Sequence, residues 1–220
     1  MEILEQMKAR HSVRQYEDRP IEAEKREALN ALAAQLNGDK SLNIQLIYDE
    51  PKCFDSFMAH YGKFSGVSNY IALVGKKEAG LDEKLGFCGE KLVLKAQELG
   101  LNTCWVALTH GKSSAKIGKR EKLVCLIALG YGKTQGVSHT SKPMDTLCKA
   151  QDPKPEWFVK GMEGALEAPT AMNQQKFLLE LLPGGNVKAT CGKGFYTELD
   201  LGIVKCHFAL AAGTDNFRWA

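Results

Sequence analysis

At 220 residues, 44% hydrophobic and 25% charged, the chain can bury a substantial core and is too evenly mixed to be disordered. A net charge of +3 is too small to argue for nucleic acid, and the longest apolar runs, "YIALVG" and "LVCLIALGYG", are too short to span a membrane. The start, "MEILEQMKAR", is amphipathic rather than a signal sequence, so a cytoplasmic protein is expected. Ile3, Leu4 and Met7 recur at helical spacing over residues 2–10, and a second helix is predicted over Glu22–Leu36, opened by Pro20 and closed near Asn37-Gly38. "LNIQLIYDEP" alternates apolar and polar residues up to a proline and reads as a strand. "NYIALVGKK" and "KLVCLIALGYG" are apolar runs of strand length, of the kind buried on both faces. Between them "GEKLVLKAQELG" supplies a helix, with Leu92, Ala96 and Leu99 on one face and Gly100 as its stop, followed by "LNTCWVAL" as a further extended segment.

After Gly130 the composition changes. "GYGKTQGVSHTSKP" and "KAQDPKPEW" have no apolar period and are rich in Gly, Ser, Thr and Pro, so residues 131–156 read as a long loop or crossover. A helix from Trp157 through Leu166 follows, then "APTAMNQQ", a strand "KFLLELLP", a Gly-rich turn and an apolar helix in "TELDLGIVKCHFALAAG". The expected organisation is an α+β chain with one half over residues 1–130, the crossover, and a shorter half over 157–220. The halves share a faint likeness: "GEKLVLKAQELGLNTCW" and "LDLGIVKCHFALAAGTDNFRW" each run an apolar helix into a glycine and then a tryptophan, a pattern that duplication or chance can produce.

Cys53, Cys88, Cys104, Cys125, Cys148, Cys191 and Cys206 are odd in number and form no C-x-x-C pair, which fits reduced thiols. His11, His60, His110, His139 and His207 do not cluster at ligand spacing, so no metal site is expected. The run Lys112, Lys116, Lys119, Arg120 and Lys122 reads as a solvated face. The densest chemistry lies in "ARHSVRQY". If this stretch is extended, Arg10, Ser12 and Arg14 point to one side, and two guanidinium groups with a hydroxyl make a cradle for a phosphate. A solvated helix end, whose last-turn cations favour the helix dipole, is the competing reading.

Four motifs extend the case. "R-H-S-V-R-Q-Y" resembles the R-x-S-x-R-x-[FY] signature of the nitroreductase family of flavoproteins, and "A-P-T-A-M-N-Q-Q-K-F" resembles its A-P-S-x-x-N-x-Q-P-W segment. "L-G-L-N-T-C-W-V-A" is similar to the family's L-G-L-G-T-C-W-I-G, and "L-I-A-L-G-Y-G" to its strand ending in L-G-Y-P. In ordinary members the A-P-S segment follows the first motif by a few tens of residues; here it comes late, at Ala168–Gln175. Since ordinary members bind FMN between two subunits, this order resembles a fused dimer with one flavin site per chain. The fold implied is nitroreductase-like: an antiparallel or mixed sheet core flanked by helices, in two pseudo-symmetric halves. A monomer is expected, with a homodimer as the alternative, and neither nucleic acid nor membrane as partner.

Carried over, the resemblance assigns Arg10, His11, Ser12 and Arg14 to the FMN phosphate and the polar edge of the ring. Pro169, Thr170, Ala171 and Asn173 match the segment that lines the ring and ribityl chain, with Gln175 either a contact or a structural residue. Ser141 and Lys142 are candidates to finish the phosphate site, with Lys133 the runner-up. The backbone of Phe87–Gly89, taken as a loop opening the next helix, is the candidate donor to flavin N5. Cys104 is read as core. The implied activity is hydride transfer from NADH or NADPH through FMN to a small acceptor such as a nitroaromatic or quinone, with no catalytic acid or base from the protein. Lys176-Phe177 in place of Pro-Trp, and Ala107 in place of Gly, keep open a flavin- or nucleotide-binding protein without turnover.

Overall fold

The structure, a computed structural model, describes residues 2–220. In chain order its helices and strands are α1 (Ile3–Ala9), α2 (Ala23–Leu36), β1 (Leu42–Ile47), α3 (Phe57–Tyr61), β2 (Asn69–Lys76), α4 (Leu81–Glu98), β3 (Asn102–Val106), β4 (Glu121–Gly130), β5 (Cys148–Lys149), α5 (Glu156–Leu166), β6 (Phe177–Leu182), β7 (Asn186–Cys191), α6 (Thr197–Ala212) and β8 (Arg218–Trp219). The chain forms two compact units, neither of them a continuous segment. One comprises Arg10–Leu81 and Lys91–Ser138; the other comprises the residues through Ala9, Asp82–Glu90 and His139–Ala220.

The first unit is built on an antiparallel sheet of order β1-β2-β4-β3. The two apolar runs of the sequence lie side by side as β2 and β4, flanked by β1 and β3, and β2 is buried at every position except Lys76. Such a run is stable only where both faces are covered. One side, which carries Tyr70, packs on Phe54 and Phe64, with Phe54 edge-on to Phe64 at 5.3 Å between ring centres. Between β1 and β2 lies α3, which the sequence pattern did not signal; the Ser56 hydroxyl caps it by accepting from the Ala59 N–H at 3.2 Å.

The second unit has a mixed sheet of order β5-β6-β7-β8, in which only β6 and β7 pair antiparallel. Its centre is α6, whose apolar sequence is buried on nearly every face. Small residues allow this. A Cβ on Gly202 would strike the Glu83 carbonyl oxygen, a Cβ on Gly86 would strike that of Leu199, and one on Gly161 would meet the Phe208 ring at 2.6 Å. The fully buried His207 bridges the Gly164 carbonyl oxygen, 3.0 Å from Nδ1, and Glu90 Oε1, 2.9 Å from Nε2.

One expectation is corrected by this packing. Phe87–Gly89 is not a loop at a helix start but lies within α4, which begins at Leu81 after Gly80 in the left-handed conformation (φ 75°). Its N–H groups belong to a helix interior, where the preceding turn supplies acceptors, so they are not donors for an N5 atom. Gly86, just before this stretch, serves the close approach of α6. Among the described residues no helix is long and apolar enough to cross a membrane, and no group of three His, Cys, Asp or Glu side chains could hold a metal ion.

Candidate functional site

In the first unit, residues 10–16 run extended and are held on several sides by main-chain hydrogen bonds. Val13 N–H donates to the Thr103 carbonyl on β3 at 3.0 Å. Tyr16 N–H donates to Ser65 and Ser65 N–H returns to Arg14, at 2.9 and 3.0 Å, while Glu17 N–H reaches Tyr131 at 2.8 Å. These ties fix the course of the segment, but its side chains do not alternate as a free strand would. Arg10, Val13 and Tyr16 are buried, Arg14 is exposed, and His11 and Ser12 are half-buried. Gly136 packs against His11, where a Cβ would lie 2.7 Å from that of the histidine.

The three residues expected to converge do share a neighbour, Cys104. Burial pushes its thiol up, and the Arg14 charge, the Ser12 hydroxyl bonded to it and the Arg10 charge all oppose that shift. The thiol is therefore a protonated core residue. Arg14 also approaches the Phe64 ring, with its guanidinium carbon 6.0 Å from the ring centre. Lys133 is exposed, with its main chain bonded to the Gln15 carbonyl at 2.9 Å. The basic run is exposed from Lys112 to Arg120.

In the second unit, Pro169, Thr170, Ala171 and Asn173 lie on a loop between α5 and β6. Met172, Asn173 and Gln175 all adopt left-handed backbone (φ 52°, 53° and 44°), at a cost of roughly 1–3 kcal/mol each, least for asparagine. A strained loop of this kind persists only if its surroundings over-determine it. Gln175 is buried and anchors it. The Gln175 side chain accepts from Lys142 N–H at 2.8 Å and donates to the Thr140 carbonyl at 3.0 Å and to Asn173 Oδ1 at 2.8 Å. Asn173 Nδ2 donates to the same Thr140 carbonyl at 2.9 Å, and Thr170 Oγ1 accepts from Gln175 N–H at 3.1 Å.

Ser141 and Lys142 also serve this loop. Ser141 Oγ donates to the Leu166 carbonyl at 2.9 Å, and Lys142 Nζ donates to the carbonyls of Gln174 and Gln175 at 2.8 and 3.1 Å. The Lys142 ammonium thus gives two of its three donors to the loop's main chain. A residue that sequence reading passed over completes the scaffold: Asp200 on α6 accepts from Ala171 N–H at 2.9 Å and from Gln174 Nε2 at 2.7 Å. Burial raises its carboxyl to about 6, against the pull of those two hydrogen bonds. The only signal in the sequence is a second acid in the first turn of an otherwise largely apolar helix, after Glu198.

The family whose model matches residues 2–212 is described as Putative TM nitroreductase. The chain belongs to this nitroreductase family. Membership makes it an oxidoreductase enzyme and fits its α+β fold. Among solved structures, a putative nitroreductase from Thermotoga maritima is similar at 24% identity and a TM-score of 0.70, covering 96% of this chain and 83% of its own. A putative NADH dehydrogenase/NAD(P)H nitroreductase from Bacteroides thetaiotaomicron is similar at 17% identity and a TM-score of 0.53, covering 66% and 95%. A nitroreductase family protein from Streptococcus pneumoniae is similar at 14% identity and a TM-score of 0.54, covering 68% and 100%. At these identities the likeness is one of fold. No curated protein matches the chain. Within the family match fall both the Arg10–Tyr16 segment and the Ala168–Gln175 loop, so this nitroreductase family member carries its two candidate segments in different units.

Proposed function

We propose that the chain is an FMN-dependent oxidoreductase that uses NADH or NADPH to reduce a small acceptor such as a nitroaromatic or quinone. The observation that carries this reading is the Arg10–Arg14 segment. It is pinned by main-chain bonds to Thr103 on β3 and with Ser65, and its buried guanidinium, hydroxyl and exposed guanidinium all act on Cys104, a donor set that suits a phosphate dianion. The donor set fits FMN: cationic and hydroxyl donors for the phosphate, and none of the carboxylates that would repel it within Arg10–Tyr16. His11 belongs to the same segment. Bound FMN supplies the hydride chemistry, taking two electrons from the nicotinamide and giving them to the acceptor. The chain's own task is to bind the phosphate, orient the ring and hold positive charge near it.

The Thr170–Asn173 loop is the second candidate contact, with Pro169 at its base. Ser141 and Lys142, the candidates to finish the phosphate site, also bind this loop and its base through the carbonyls of Leu166, Gln174 and Gln175. The B. thetaiotaomicron protein's name supports a nicotinamide donor, and membership of the nitroreductase family supports a small-molecule acceptor.

Purified protein should be yellow and release about one FMN per chain, and it should oxidise NADH or NADPH when a quinone or nitroaromatic is supplied. Arg14→Ala should weaken FMN binding roughly 10- to 100-fold, the scale of one charge-assisted contact of about 1.5–3 kcal/mol, while the fold survives because Arg14 is exposed. A colourless protein that cannot be reconstituted with FMN would sink the reading. A flavin-loaded protein that turns over no acceptor would leave a flavin-binding protein, the outcome that the unusual Lys176-Phe177 corner allows.

A further inference from the structure

We propose that Asp200 is a positioning residue that holds the Ala168–Gln175 loop in its strained conformation, so that its charge state sets flavin affinity. This rests on the reading of that loop as a flavin contact. Three non-glycine residues of the four from Met172 to Gln175 have left-handed backbone, and left alone the segment would relax. Two sets of ties oppose relaxation. Lys142 and Gln175 hold the loop from the crossover side, and Asp200 holds it from α6.

The Asp200 tie differs in kind. Its carboxylate is only 5% exposed, each oxygen accepts one hydrogen bond, and both partners, Ala171 N–H and Gln174 Nε2, can only donate. A protonated carboxyl donates from one oxygen, which leaves that oxygen a poorer acceptor, so protonation weakens one of the two ties. Gln174 passes the effect on, since its other amide hydrogen is given to the Phe195 carbonyl at 2.9 Å, in the turn that leads into α6. That turn and the loop each carry a large exposed apolar side chain, Phe195 and Met172.

The surrounding elements bring few competing charges. Glu198 lies on the same helix; Glu83 of α4 is paired with Lys205 at 2.5 Å; Glu167 ends the helix that packs beside α6. Lys142 Nζ is on the loop carbonyls, and Lys176 Nζ is on the Lys193 carbonyl at 3.1 Å, with Lys193 itself in the following turn. None of these contributes to the raised Asp200 carboxyl, which burial pushes to about 6 against the Ala171 and Gln174 hydrogen bonds alone. The group therefore changes charge near neutral pH.

The test measures FMN affinity of the apoprotein from pH 5 to 8, and amide hydrogen exchange over 168–176, for wild type, Asp200→Asn, Gln174→Ala and the exposed control Asp215→Asn. Wild type and the control should bind FMN about tenfold more weakly below pH 6 than at pH 8. Asp200→Asn keeps one acceptor and turns an amide toward a donor, so at pH 8 it should already bind about tenfold more weakly than wild type. Its Ala171 amide should exchange at least tenfold faster at pH 8, and Gln174→Ala should fall between. Its melting temperature at pH 8 should stay within about 3 °C of wild type, because the ionised carboxylate is itself costly to bury. Flat wild-type affinity across this range, or Asp200→Asn binding as tightly as wild type at pH 8, would overturn the proposal while leaving the flavin reading intact. Failure of every form to bind FMN would overturn that reading and the flavin half of this one, with exchange at Ala171 still deciding the tether.

Discussion

Tyr16 closes the Arg-Ser segment, and its phenol is fully buried with no hydrogen-bond partner for the hydroxyl among the described residues. Burial pushes its ionisation far up, so the group stays neutral and the hydroxyl contributes only its desolvation cost. Tyr16→Phe should therefore stabilise the protein by about 1 kcal/mol, a rise of about 2–4 °C in melting temperature, with FMN affinity unchanged. Equal melting temperatures would mean that the hydroxyl has a partner in solution. Residue chemistry of this sort was partly legible in the sequence. The cluster of cations and hydroxyl in "ARHSVRQY" could be read as anion-binding because residue type alone carries that message. Which side each residue takes could not, because alternation holds only for a strand paired evenly along its length. Here the ties to Thr103, Ser65 and Tyr131 come from different directions and bury Arg10, Val13 and Tyr16, every third residue. Asp200 was illegible for a related reason: an acid in an apolar helix has no meaning until its partners are known.

At the scale of elements, the helices and strands with strong periods could be read from local pattern, among them β2, β4 and α6. The error over Phe87–Gly89 has a clear origin. Glycines inside a helical pattern lower its apparent propensity and look like a boundary, whereas here Gly86 admits a second helix. That partner lies far along the chain and leaves no local trace. The crossing of α4 and α6 makes a direct prediction. Gly202→Ala places a methyl group on the Glu83 carbonyl oxygen, and backbone cannot step aside as a flexible side chain can. A loss of about 3 kcal/mol or more is expected, lowering the melting temperature by roughly 6–12 °C, whereas Gly192→Ala, whose added Cβ would meet nothing closer than 3.7 Å, should melt close to wild type. Equal melting of the two variants would show that the helices are not so closely packed.

For the whole molecule, the sequence reading divided the chain into consecutive segments, because composition shifts are all that a sequence displays. Membership of a compact unit depends instead on long-range contacts, which is why Asp82–Glu90 groups with residues after His139. The flavin reading has a consequence at this scale that needs no assay of turnover. A ligand that binds only the folded chain at 100 times its dissociation constant adds about 2.7 kcal/mol of stability, and for a chain of this size each kcal/mol moves the melting temperature by about 2–4 °C. FMN should therefore raise it by roughly 5–11 °C. Riboflavin offers the same ring and ribityl chain without the phosphate, so at equal concentration it loses the contacts to Ser12 and the guanidinium groups and should give less than half that shift. In Arg14→Ala the difference between the two ligands should shrink, because one of the groups that tells them apart is gone. If riboflavin and FMN protect wild type equally, the Arg10–Arg14 segment does not read a phosphate, and any flavin the protein holds is bound through its ring alone.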